Sequence, residues 1–117
     1  MNDKLLYETG IRCKGFTVDA AAGTTTTSLD LSGFAKQFIG FAIVDALNTT
    51  TIQLTINNDV VVEATNATFF NSDASNPRMF SEFNRPLSGQ DTISLRTTAD
   101  AADEFFIVVY YRNKYMG

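Results

Sequence analysis

The sequence contains no histidine, no tryptophan and a single cysteine, Cys13. Without imidazole there is no Ser-His-Asp triad, no Cys-His pair and no histidine-bound zinc. One thiol cannot hold zinc alone, and Cys13 lacks the base that activates a nucleophilic cysteine. It closes no internal disulfide, so the chain does not draw stability from an oxidising compartment. The expectation for Cys13 is a small buried residue on the first strand. No run approaches the ~20 apolar residues of a membrane span. The cations Arg78, Arg85, Arg96, Arg112 and Lys114 are scattered, the net charge is -4 and the pI is near 4.6. A nucleic-acid partner is therefore not expected. Gly10, Gly15 and Gly23 are separated by strand-like residues with no helix after them, which excludes a phosphate-binding loop. Met1–Gly10 carries Asp3 and has no apolar core, so no signal peptide is expected.

What is present favours strands. The 117 residues are 44% hydrophobic, enough for one domain with one core. No segment carries a sustained helical stripe, whereas Thr, Phe, Val and Ile are abundant. Eight strands are predicted. Ile11–Val18 alternates, with Phe16 and Val18 on one face and Ile11 and Cys13 on the other. Thr24–Leu31 points Thr25, Thr27, Leu29 and Leu31 inward. Gln37–Ala46 is apolar on both faces, and its Gly40 suggests close packing or a bulge. Thr51–Ile56 turns Ile52, Leu54 and Ile56 inward. Asn57-Asn58-Asp59 tolerates positive φ and predicts a tight hairpin to Val60–Ala64. A sixth strand is predicted near Ala67–Phe70. Asn71 to Gly89 reads as one long irregular segment, of the kind that carries function or an interface. Ile93–Thr97 and Glu104–Arg112 complete the set.

The last strand is the most informative. Phe105 to Tyr111 is a run of seven β-formers, apolar or aromatic on both faces. Such a strand is expected in the middle of a sheet, paired on both sides. The fold class predicted is an all-β, eight-stranded antiparallel jelly-roll sandwich. One sheet would hold strands one, eight, three and six, the other strands two, seven, four and five. An immunoglobulin-like sandwich is the alternative, without support from a tryptophan or a cysteine pair.

Few residues offer chemistry. Glu63, Glu82, Asp91 and Glu104 are the candidates for paired carboxylates, with solvated surface charges as the simpler account. Asn71, Asp73, Ser75, Pro77 and Glu82 fall at the spacing of a calcium loop. Position one of that frame is Asn, position six is Asn76 instead of Gly, and no helices flank it. No metal or other cofactor is expected. Asn48-Thr-Thr50 and Asn66-Ala-Thr68 match the glycosylation pattern but are expected to stay unmodified. Tyr7, Phe69, Phe70, Phe80, Phe83 and Tyr115 lie in or beside loops and could stack on a sugar. Met79, Phe80, Phe83 and Arg85 have the composition of a subunit contact.

Four stretches together resemble small single-jelly-roll structural proteins of bacteriophage virions, of the capsid vertex, decoration or head-fibre-base type. They are the hairpin Thr51–Val62, the Asn/Ser/Pro-rich loop near 71–78, the lead from Arg85 into Leu95, and the terminal Phe-Ile-Val-Val-Tyr-Tyr-Arg. The resemblance implies a non-enzymatic protein, made in the host cytoplasm and resident in the virion, that self-associates and docks on other capsid proteins. No functional residue carries over from it. Residues 1–10 are expected to form an arm ahead of a single sandwich domain, 11–117. Interface candidates are Leu5, Leu6 and Tyr7 in the arm and Met79, Phe80, Phe83 and Arg85 in the long loop. A carbohydrate-binding module using the loop aromatics is the alternative.

Overall fold

The computed structural model describes residues 11–31, 35–72, 83, 85–88 and 91–113. Its strands are β1 (Ile11–Ala20), β2 (Gly23–Ser28), β3 (Gln37–Val44), β4 (Thr51–Ile56), β5 (Asp59–Asn66), β6 (Arg85–Pro86), β7 (Ile93–Ala99) and β8 (Asp103–Arg112). They form two four-stranded antiparallel sheets packed face to face. One runs β1-β8-β3-β6, the other β2-β7-β4-β5. β8 is paired along its length with β1 and from Phe106 to Arg112 with β3, the central place expected of it.

The core is the set of inward residues of both sheets. Leu29, Ile52, Leu54, Ile56, Ile93 and Leu95 meet Val18, Phe38, Phe41, Ile43, Phe105, Ile107 and Val109. Period-two alternation puts them there, because successive side chains leave a strand on opposite faces. β4 shows it without interruption: Ile52, Leu54 and Ile56 are buried, Thr51, Gln53 and Thr55 partly exposed.

Two local devices position the rest. Asn57 and Asn58 hold φ of 52° and 69°, so the β4–β5 hairpin turns in two residues with Ile56 opposite Asp59. Two positive φ values match the right-handed twist of the flanking strands. In β3 the register against β8 shifts between Phe38 and Gly40. Phe38 pairs with Tyr111 and Gly40 with Tyr110, leaving Ile39 as an extra residue. That bulge, anticipated at Gly40, lets Phe38 and Phe41 share the core face although three positions apart.

Three expectations are corrected. Ala67–Phe70 is a 3-10 helix, not a strand. The Asn66 carboxamide oxygen accepts from the Thr68 backbone N–H (2.9 Å) and hydroxyl (2.6 Å), and Asn71 N–H donates to Thr68 O. These local bonds take the groups that a ladder would use. The sixth strand is instead Arg85–Pro86, inside the segment expected to be irregular. It pairs with Phe38 and Gln37 at the sheet's margin, where proline's missing N–H is tolerated. Third, Cys13 is exposed. Its parity is the one expected, but the face it shares with Gly15 and Thr17 points away from the core.

Candidate functional site

Of the interface candidates, Leu5, Leu6, Tyr7, Met79 and Phe80 lie outside the described residues, as does the whole 1–10 arm. Phe83 is half-buried and turned inward, its ring 5.3 Å from Phe38 and 6.0 Å from Phe41. Arg85 forms an ion pair with Asp59 at the β4–β5 hairpin. These two therefore brace the fold from the loop side. The sugar-stacking candidates divide in the same way. Phe70 is buried against Phe41 at 5.0 Å, while Phe69 is 58% exposed and packs edge-on to Phe70. Tyr115 also lies outside the described residues.

Two of the carboxylate candidates are kept apart by the fold. Glu63 is exposed on β5 and Glu104 on β8, in different sheets. Glu82 lies outside the described residues. Asp91 sits before β7 in a local network. Its carboxylate accepts from Asn57 Nδ2, Ser88 N–H (2.7 Å) and the Ser88 hydroxyl (3.0 Å). Asn57 in turn accepts from Thr92 N–H at 2.9 Å. The network ties the β4–β5 hairpin to the β6–β7 connection. A cavity of about 60 Å³ beside it, lined by Asp30, Ser88, Asp91 and apolar residues, is far below the ~300 Å³ of a small-molecule pocket.

The Asn57 hydrogen bond holds the Asp91 carboxyl below its ordinary pKa; burial opposes it, and the two Ser88 bonds and the Arg85 charge add to the lowering. A depressed folded pKa stabilises above the unfolded value, about 3.9, and that stability is lost as pH falls through the folded pKa. Asp91→Asn should therefore lower the melting temperature at pH 7, and its difference from wild type should narrow as the pH falls below about 3.9. Thermal melts across the acid range check this; an equal loss at both ends would exclude the ionised carboxylate as the cause.

Of the calcium-loop frame only Asn71 is described. Its side chain accepts from Ala46 N–H (3.4 Å) and donates to Ala46 O (3.3 Å), a structural clip on the end of β3. Among the described residues no cluster of three or more acidic or thiol side chains could hold a metal ion. Of the glycosylation motifs, Asn66 caps the 3-10 helix and donates to Asn48 O at 2.6 Å, so local geometry accounts for its Asn-x-Thr pattern.

Sequence reasoning missed the outer face of the β1-β8-β3 sheet. Alternation places Cys13, Gly15, Thr17 and Asp19 of β1 beside Tyr110, Val108, Phe106 and Glu104 of β8. Gly40, Ala42 and Val44 continue the rows on β3. Phe106 is 46% exposed, and Val108, Tyr110 and Val44 are half-buried. The face is open over β1 and β8 and closes toward β3, where Ile39 and Ala42 are buried. Burial raises the Tyr110 hydroxyl pKa, with a smaller contribution from neighbouring Cys13. The signal was in the sequence as the doubly apolar run 105–111. In sequence alone a second apolar face reads as interior on both sides.

Charge is polarised along this sheet. Asp19, Asp45 and Glu104 stand at one end of β1, β3 and β8, with Asp19 and Glu104 directly opposite each other. Arg12, Lys36 and Arg112 stand at the other. Compared with protein-family models, with curated proteins and with solved structures, the chain has no match.

Proposed function

We propose that this protein is a non-enzymatic structural component of a virion, a jelly roll that assembles as a closed homo-oligomer and docks on other capsid proteins. The strand orders β1-β8-β3-β6 and β2-β7-β4-β5 support the jelly-roll reading. The observation that carries the assembly reading is β8. A strand paired on both edges cannot be mistaken for a frayed terminus, yet it presents Phe106, Val108 and Tyr110 outward. Exposed aromatic and apolar residues gathered on one flat face mark contact surfaces more often than isolated ones do. The histidine-free sequence and the separation of Glu63 from Glu104 support a non-enzymatic role.

Sedimentation of the full chain from about 1 μM to about 1 mM tests self-association, whose apparent extent must rise with concentration. The expected result is a shift from monomer to a defined oligomer. A monomer throughout that range would remove the support for the assembly reading.

A further inference from the structure

We propose that two copies of this chain join edge to edge through β2, antiparallel about a two-fold axis at Thr26, so that the β2-β7-β4-β5 sheet continues from one copy into the other. The inference deepens the self-association reading and rests on it.

Hydrogen-bonding parity is the first observation. β2 is the margin of its sheet and pairs only with β7. Just past its end, Leu29 N–H donates to Ile93 O at 2.8 Å. Bonded and non-bonded pairs alternate along an antiparallel ladder, so Thr27 opposite Leu95 and Thr25 opposite Thr97 are the bonded ones. Thr24, Thr26 and Ser28 therefore turn their N–H and C=O groups away from β7. All three residues are exposed, and among the described residues these groups have no partner.

The four sheet margins differ, which is the second observation. β6 is two residues long and ends in proline. β5 carries Asp59 and Glu63, and its register against β4 shifts twice. β1 holds Arg12 and Lys14 on its core-side parity. Short length, proline, charge and bulges are the means by which edges are kept from pairing. β2, Gly-Thr-Thr-Thr-Thr-Ser, has no charge, no proline and an unbroken register.

Symmetry and charge identify the occupant as a second copy. Thr24 and Ser28 stand two residues either side of Thr26. An antiparallel second β2 sets Thr26 opposite Thr26 and Thr24 opposite Ser28, so each outward residue exchanges both of its bonds. The half-buried Thr25 and Thr27 become cross-strand neighbours on the core side. In the other layer the same rotation turns the Arg12–Lys14 end of one β1 toward the Asp19 end of the other, so like charges do not meet. Arg96, opposite Thr26 on β7, stands three strand spacings from its symmetry mate, about 14 Å and beyond the screening length of about 8 Å. The contact uses the same patch on both copies and closes at two. One strand per copy covers less than the ~800 Å² of a standard interface, so the dimer is weak and grows with concentration.

Sedimentation of full-length variants tests this. Thr26→Pro should weaken association at least tenfold; the N–H it removes points away from β7, so the monomer's sheet tolerates it. Thr26→Lys and Thr26→Asp should each weaken association about tenfold, because each sets like charges opposite at the axis. An equimolar mixture of those two should associate to within about threefold of wild type. Thr98→Lys, on the same outer face but one strand inside the edge, should leave association unchanged. An oligomer indifferent to all three Thr26 variants would overturn the β2 edge while leaving self-association standing. Charge variants that each weaken association but do not recover on mixing would overturn the two-fold at Thr26. A wild-type chain that stays monomeric overturns both this inference and the reading beneath it.

Discussion

Phe41→Ala should remove about 3–5 kcal/mol of folding stability, the range measured for truncating a large buried aromatic. The side chain is fully buried where three parts of the chain meet. Its ring lies 5.0 Å from Phe70, the last residue of the 3-10 turn, and 6.0 Å from Phe83, which comes from the loop side. Neither neighbour can collapse freely into the gap. Phe70 is held by the Asn66-capped turn, and Phe83 N–H donates to Ile39 O at 3.3 Å. A rigid surround makes the cavity cost approach its upper value. For a domain stable by about 5–15 kcal/mol this is a large fraction, and urea unfolding with an unchanged slope would report it directly. A loss below about 1 kcal/mol would mean that the Phe38-Phe41-Phe70-Phe83 cluster is not a stabilising unit.

Asp103→Ala should cost about 2–4 kcal/mol, by a different mechanism. Asp103 is a buried carboxylate at the start of β8. Its Oδ2 accepts from the Thr50 hydroxyl at 2.7 Å and from Leu47 N–H at 3.1 Å. These bonds fasten the β3–β4 connection to β8, since Thr50 is itself buried. Alanine leaves two donors without an acceptor, and an unsatisfied buried group costs more than the bond it lost was worth. Asp103→Asn keeps one acceptor oxygen and should recover at least half of the loss. Chemical unfolding of both variants decides the point. Equal destabilisation by Ala and Asn would assign the effect to the charge and not to the hydrogen bonds.

Much of this architecture is legible in the chain. The Asn57-Asn58 turn, the alternation of Ile52, Leu54 and Ile56, the central position of Phe105–Tyr111 and the irregularity at Gly40 all rest on backbone sterics or on period two. Both act within a few residues, so sequence carries them intact. The sixth strand was not legible. Arg85–Pro86 is a strand only because the β3 margin lies beside it, whereas Ala67–Phe70 has strand-like residues but a local hydrogen-bond partner in Asn66. Of the candidate surface, the residues were visible and their exposure was not.

The sequence by itself determined which side chains share a face and which chemistries are excluded, because parity and the absence of histidine need no partner to be true. The tertiary structure decided which faces are covered. Cys13 and Phe106 have strand parities that are plain in the chain. Their exposure follows from the sandwich having two layers, so that β1 and β8 hide one face against the other sheet and leave the opposite face open.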